Sequence, residues 1–132
     1  DVVNQAALVA LNLLYGRVRQ VPVTKVRDLV ETGAYIIDVR ERNEYSLGHL
    51  KTSVNIPLSE LRDRLDEIPA DRPVYLHCRS SQRSYNACMA LVNRGYRNVW
   101  NISGSYLGIC LYEYFTDVTT GREKIVTEYN FK

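Results

Sequence analysis

The chain has 132 residues, of which 17 are basic and 15 acidic, and its net charge is +2. This length fits one domain, and a content of 45% hydrophobic and 24% charged residues excludes a disordered or fibrous chain. So small a net charge gives no sign of nucleic acid binding, and we expect neither nucleic acid nor membrane as a partner. Three cysteines are too few for a disulfide scaffold and are typical of a cytoplasmic protein.

The beginning of the chain is predicted to form an apolar helix over residues 2–15, which Gly16 ends. This helix is too short to span a membrane, which requires about 20 apolar residues. Asp1 also stands where a signal peptide would carry positive charge. The helix either docks on the core of this domain or belongs to a preceding one.

We favour the second interpretation and expect the chain to be a piece of a longer protein. It begins at Asp1, and its single methionine is Met89. Residues 1–22 are then the helix and linker at the end of a preceding domain, and residues 23–132 form the domain described below.

From Thr24 onward, short runs of β-branched residues alternate with helical segments. The predicted helices cover residues 24–31, 60–68 and 81–94, and the predicted strands cover residues 35–39, 54–57, 73–77 and 98–102. This alternation predicts an α/β fold with a mainly parallel central sheet and helices on both faces. The pattern of residues 116–132 predicts no definite structure.

The segment after the third predicted strand carries the strongest chemical signal. Cys78 leaves a buried strand and faces the start of the next helix, and ligands of parallel sheets bind at the carboxyl ends of strands. Helix N-termini favour anions, and Arg79 and Arg83 add positive charge. These conditions stabilise a thiolate, the reactive form of cysteine. Cys88 and Cys110 are interpreted as buried apolar residues.

In their order and spacing, three blocks of this chain resemble the rhodanese-like sulfurtransferases, over residues 23–115. The first block is similar to the family's early motifs, the second to its active-site loop and the third to its late pair of glycines. The matching residues are Asp38-Val39-Arg40-Glu41, Glu44-Tyr45, Gly48-His49-Leu50 and Asn55-Ile56-Pro57, then Cys78 to Ser84, then Gly104-Ser105-Tyr106.

The resemblance implies a rhodanese-like fold and two-step covalent catalysis. The thiolate of Cys78 attacks the sulfane sulfur of a donor such as thiosulfate, and the resulting persulfide passes its sulfur to a thiol or to cyanide. Backbone N–H groups of the loop surround the persulfide, while Arg83 closes the loop and attracts an anionic donor together with Arg79. The loop residues that bind substrate are expected to be Arg79, Ser80, Ser81, Gln82, Arg83 and Ser84.

Asp38 and Arg40 are expected to support this site from the end of the neighbouring strand. We interpret Asp38 as holding the loop through hydrogen bonds or an ion pair with an arginine, and we expect Arg40 and Glu44 to pair with each other. No third residue has the spacing of a metal ligand relative to His49 and His77, so no metal site is predicted.

The chain departs from the family pattern at three positions. Ser81 stands where the loop usually has glycine, and it is expected to narrow the pocket or to force a different backbone, with an effect on rate. Ser105 replaces the second late glycine, and Ile109 stands in place of a following tryptophan. These two changes are expected to alter packing near the site without removing a catalytic group.

Two other functions compete with sulfur transfer. Cysteine-dependent phosphatases and arsenate reductases use a similar loop, but with five residues between cysteine and arginine, whereas four separate Cys78 from Arg83. A sulfur-carrier or regulatory module with little turnover is the other alternative, although such modules often lack the cysteine.

Residues 3–16 show a second, narrower resemblance, to the end of the dimerisation domain in flavin-dependent pyridine nucleotide-disulfide reductases of the coenzyme A-disulfide reductase type. Some of these enzymes carry a C-terminal rhodanese domain. The resemblance implies an upstream flavoprotein domain and a homodimer as partners. We expect no cofactor in this chain, because it lacks a G-x-G-x-x-G motif. FAD, NAD(P)H and coenzyme A would then belong to the upstream part.

Overall fold

The computed structural model describes residues 18–132, so the helix predicted for residues 2–15 lies outside the described residues. The described part contains one five-stranded sheet in which every neighbouring pair of strands is parallel. The spatial order is β1-β5-β4-β2-β3, and the strands are β1 (Arg19–Pro22), β2 (Tyr35–Asp38), β3 (Val54–Asn55), β4 (Val74–His77) and β5 (Val99–Ser103).

Helices cover both faces of the sheet, as predicted. They are α1 (Val26–Glu31), α2 (Arg42–Leu47), α3 (Gln82–Asn93) and α4 (Ser105–Thr120), with 3₁₀ segments at Val23–Lys25 and Leu58–Glu67. On one face, Leu91 of α3 packs in a buried cluster with Ile37 and Leu76 of the sheet. On the other face, Ile109 of α4 packs with Ile36 of β2 and other buried residues. No helix within residues 18–132 combines the length and apolar character needed to cross a bilayer.

The predicted linker is wrong from Arg19 onward, because Arg19–Pro22 forms strand β1. Its residues pair with β5 from Arg19 opposite Trp100 to Pro22 opposite Ser103. As an edge strand it buries only Val21. A strand with one buried side chain shows no apolar periodicity, so the sequence could not distinguish it from a linker.

The structure also differs from the helix predicted over residues 60–68. This region is a 3₁₀ segment, Leu58–Glu67, interrupted at Arg64, whose backbone is not helical. The side chain of Arg64 donates to Glu67 at 2.6 Å and to the carbonyl of Asn55, in β3, at 3.3 Å, and the second contact depends on the folded chain. Apolar residues three or four apart suit either type of helix, so their spacing did not decide the matter.

The end of the chain has a definite structure that the sequence did not reveal. Helix α4 continues to Thr120, and the segment after it returns across the domain. Val126 forms an antiparallel bridge with Leu50, and the hydroxyl of Tyr129 donates to Asp117 at 2.5 Å. The tail therefore covers the α4 face of the sheet.

Candidate active site

Cys78 lies at the carboxyl end of β4, where the chain turns into α3. Its side chain is buried, and the backbone N–H of Ser81 donates to its Sγ at 3.1 Å. Burial alone would raise the pKa of the Cys78 thiol. Hydrogen bonds from the Ser84 hydroxyl and from the N–H groups of Ser84, Ser80 and Ser81 outweigh burial, so the pKa is lowered. The loop therefore favours an anionic sulfur.

The other two thiols have the opposite electrostatic environment. Cys88 and Cys110 are both fully buried. Burial raises the pKa of each, and the nearby Cys78 raises that of Cys88 further. Of the three cysteines, Cys78 alone has a lowered thiol pKa, and the other two are packed as apolar residues.

Ser81 occupies a backbone conformation that glycine adopts most readily, with φ of 89°. The serine therefore does not force this turn out of the left-handed region. Its Oγ is directed to the end of β5, where it accepts a hydrogen bond from the N–H of Gly104 at 3.0 Å and lies 3.3 Å from the carbonyl oxygen of Ile102. The Ser81 side chain thus joins two loops, and its N–H faces the sulfur.

Ser105 contacts Cys78, which was not predicted from the sequence. It is fully buried, its Oγ accepts from the N–H of Cys78 at 3.2 Å, and that Oγ lies 4.0 Å from Cys78 Sγ. The position of Ser105 in the sequence could have indicated this contact. Ser105 follows β5 and Gly104, and β5 lies next to β4 in the sheet. Ends of adjacent parallel strands meet at one edge of a sheet, so residues after both strands share the site.

Arg83 pairs with Glu44 of α2, so the predicted pairing of Glu44 with Arg40 is wrong. The guanidinium of Arg83 donates to the two carboxylate oxygens of Glu44 at 2.6 and 2.9 Å. This contact lowers the pKa of Glu44 to about 2 and raises the pKa of Arg83. Arg83 also interacts electrostatically with Cys78. Sequence spacing did not indicate this pair because its members are 39 positions apart.

Arg40 pairs instead with Asp38. Both side chains are buried, and Arg40 Nη2 lies 2.8 Å from Asp38 Oδ2. The guanidinium also lies over the ring of Tyr106, 4.2 Å from its centroid, and the N–H of Tyr106 donates to the carbonyl of Cys78 at 2.9 Å. The pair thus reaches the Cys78 loop through Tyr106. His77 Nδ1 lies 3.0 Å from the carbonyl oxygen of Cys78, so this histidine contacts backbone.

The remaining loop residues lie at the surface or near it. Ser80 and Gln82 are exposed, and Arg79 is half-buried. The guanidinium of Arg79 forms no ion pair with another residue of 18–132, which leaves its charge uncompensated by a carboxylate. Within the same residues, no three His, Cys, Asp or Glu side chains are grouped as a metal ion would require.

Comparison with known proteins gives a family match. Residues 22–111 match the family described as "Rhodanese-like domain". An uncharacterized protein, YqhL, of Bacillus subtilis is 45% identical over 73 residues, which are 55% of this chain and 58% of that protein. A protein named sulfurtransferase from Allochromatium vinosum is 36% identical over 72 residues, which are 54% of this chain and 67% of that protein.

Two solved structures resemble the fold and are much longer than this chain. Reduced CoADR-RHD from Bacillus anthracis superposes with a TM-score of 0.72 at 43% identity, over 80% of this chain and 19% of that one. A NAD-dependent persulfide reductase from A. fulgidus superposes with a TM-score of 0.60 at 32% identity, over 75% of this chain and 17% of that one. The present chain thus corresponds to less than a fifth of either.

Proposed function

Because the chain belongs to the rhodanese-like domain family, we propose that it transfers sulfane sulfur through a persulfide of Cys78. The observation that carries the proposal is the hydrogen bond from the Ser81 N–H, just before the start of α3, to Cys78 Sγ at 3.1 Å. With the N–H groups of Ser80 and Ser84, it makes Cys78 the cysteine whose pKa is lowered. Backbone donors aimed at a sulfur stabilise the charge that this chemistry needs.

The transfer has two balanced steps. In the first, the thiolate of Cys78 attacks the outer sulfur of the donor, the sulfur–sulfur bond of the donor breaks, and the electron pair leaves on sulfite or on a thiolate. In the second, an acceptor thiolate attacks the outer sulfur of the persulfide, and Cys78 leaves as a thiolate. No external oxidant or reductant is consumed. The Cys78 thiolate and the persulfide intermediate are both anionic on sulfur, which is the charge that the loop donors favour.

The two loop arginines differ in what they offer an anionic donor. Arg83 is held by Glu44 on two hydrogen bonds and is largely neutralised by it. Arg79 has no carboxylate partner among residues 18–132. Arg79 is therefore the proposed binding residue for the donor, and Arg83 holds the loop closed against α2.

We further propose that this domain works beside a flavin-dependent reductase and that it acts in the cytoplasm. Identities of 43% and 32% to parts of the CoADR-RHD and persulfide reductase chains support this arrangement. FAD, NAD(P)H and coenzyme A would be bound by that reductase. Linking the domains would raise the effective concentration of Cys78 near a reductase thiol.

The direct test is sulfur transfer from thiosulfate to cyanide by the purified domain, with hydrolysis of an aryl phosphate measured in parallel. We expect transfer above background, no phosphate release, and complete loss of transfer in Cys78→Ser. Cys88→Ala is the matched control, because it removes a second buried thiol outside the loop. Phosphatase activity that depends on Cys78, or transfer that survives in Cys78→Ser, would overturn the proposal.

A further inference from the structure

Two serines of this chain meet beneath the active-site sulfur, where the family pattern has glycines. The Oγ atoms of Ser81 and Ser105 lie 3.2 Å apart. Ser105 is fully buried and touches both the N–H and the Sγ of Cys78, whereas Ser81 presents its N–H to the same sulfur. Two of the three departures from the family pattern, Ser81 and Ser105, are therefore one structural feature.

The two hydroxyls of this pair share one acceptor. Ser81 Oγ lies 3.3 Å, and Ser105 Oγ 3.2 Å, from the same carbonyl oxygen of Ile102. Each hydroxyl has a single hydrogen to donate. When Ser81 donates to Ile102, that carbonyl oxygen has one of its two lone pairs occupied and is a weaker acceptor for Ser105, whose hydrogen then favours a negatively charged sulfur. The Cys78 Sγ, 4.0 Å away, is then an acceptor within its reach.

A further serine near the sulfur, the buried Ser84, cannot fill this role alone. Ser84 Oγ lies 2.6 Å from Asn101 Oδ1 and 3.2 Å from the carbonyl oxygen of Ser81, in addition to its interaction with Cys78. Its one hydrogen is shared among three acceptors. A second hydroxyl donor would therefore add a charge-assisted hydrogen bond that stabilises the sulfur when it is negatively charged.

We propose that Ser81 and Ser105 act together as positioning residues for Cys78, with Ser81 holding the Ile102 carbonyl so that Ser105 donates to the anionic sulfur. The catalytic importance of this device rests on the proposed function, but its effect on the thiolate does not require sulfur transfer. The pair also bonds the loop after β4 to the loop after β5 through Gly104. The donor geometry around the sulfur is thereby fixed before substrate arrives.

Backbone strain has to be separated from the hydroxyl effect. Ser81 has φ of 89° and Ser105 has φ of 50°, a region that residues other than glycine rarely adopt. Replacement by alanine removes the hydroxyl and keeps the strain, whereas replacement by glycine removes both. A consequence shared by the two replacements therefore belongs to the hydroxyl.

Other titratable groups near the sulfur are unaltered by these substitutions. Arg83 and Cys88, both on α3, interact electrostatically with Cys78, and Glu44 on α2 compensates Arg83. The buried pair of Asp38 and Arg40 lies on the β2 side, and His77 precedes Cys78 on β4.

The test is the pKa of Cys78, taken from the pH dependence of its alkylation by iodoacetamide, with the modified cysteine identified by peptide mass. In Ser105→Ala and Ser105→Gly we expect this pKa to rise by about one unit, which is roughly tenfold less thiolate below the pKa. Ser81→Ala should also raise it, because Ser105 is then drawn to Ile102. Ser103→Ala, at the exposed last residue of β5, is the matched control and should leave it unchanged.

The double variant Ser81→Ala/Ser105→Ala should show the same shift as Ser105→Ala alone, since Ser81 acts through Ser105. An unchanged pKa in both Ser105 variants would overturn the proposal. A shift in Ser105→Ala that is absent from Ser105→Gly would overturn it as well, because strain would then be the cause. Strictly additive shifts would show that the serines act separately. A wild-type protein with these shifts but without sulfur transfer would contradict only the proposed function.

Discussion

The guanidinium of Arg83 is joined to the carboxylate of Glu44 by two hydrogen bonds of 2.6 and 2.9 Å. This contact connects the start of α3, which follows the Cys78 loop, to helix α2. Glu44 has a second task, because its carboxylate accepts the N–H of Glu41 and completes the capping box of α2. One carboxylate therefore orders a helix and restrains the loop arginine.

We expect Glu44→Gln to lower stability in a pH-dependent way. The pKa of Glu44 is lowered from 4.5 to about 2 in the folded protein, so its contribution is present above about pH 4.5 and is lost as the pH falls towards 2. The contact is partly exposed, so the loss at neutral pH should be about 1 kcal/mol or less. Urea unfolding of both proteins at neutral pH and near pH 3 measures it. A difference that stays constant over this range would contradict the assignment.

Arg40→Met should destabilise the fold strongly. It leaves the carboxylate of Asp38 buried without its partner, and breaking a buried ion pair in this way costs about 3–5 kcal/mol. The matched control is Asp38→Asn/Arg40→Met, which removes both charges and should recover part of the loss. Urea unfolding of the three proteins gives the comparison. A single variant as stable as the wild type would show that the pair does not support the loop energetically.

The sequence predicted those strands of the sheet that are buried on both faces. The runs that became β2, β4 and β5 are short and apolar, and the position of Cys78 after β4 followed from that pattern. The 3₁₀ segment was predicted as an α-helix, because the spacing of its apolar residues suits both types of helix. Helix α2 was missed because its apolar residues are few. The edge strand β1 was missed for the same reason.

The candidate site was predictable only in its local part. Cys78 and its loop are contiguous in sequence, so helix-start chemistry identifies them. The partners of the charged residues are a tertiary property, since Glu44 had two arginines available and the fold decides between them. Ser105 could be seen to replace a glycine, but its contact with Cys78 requires the register of β4 against β5.

Loop size is expected to control the chemistry. A glycine inserted between Ser81 and Gln82 should reduce sulfur transfer by about a hundredfold, because the loop N–H donors would move away from Sγ. A glycine inserted after Gly95, in the turn that follows α3, is the control and should leave transfer near the wild-type level. Equal activity of the two insertion variants would show that the loop donors do not act on the sulfur.

Strand β1 gives a prediction for truncation. Removal of residues 1–17 should keep the fold and the reactivity of Cys78. Removal of residues 1–22 should lower the free energy of unfolding by about a further 2 kcal/mol. This deletion removes β1 with the buried side chains of Val18 and Val21, and it exposes the surface against which they pack. Urea unfolding compares the two truncated proteins. Equal stability would show that β1 contributes nothing to the sheet, and loss of Cys78 reactivity in the shorter deletion would place residues 1–17 in the site.

If Cys78 carries the transferred sulfur, as we propose, the intact mass of the protein will show it. After incubation with thiosulfate, the wild-type chain should gain the mass of one sulfur atom, and cyanide should remove it. Cys78→Ser should gain nothing, whereas Cys88→Ala should behave as the wild type. A wild-type chain that gains no sulfur, or a Cys78→Ser chain that gains one removable by cyanide, would contradict the account.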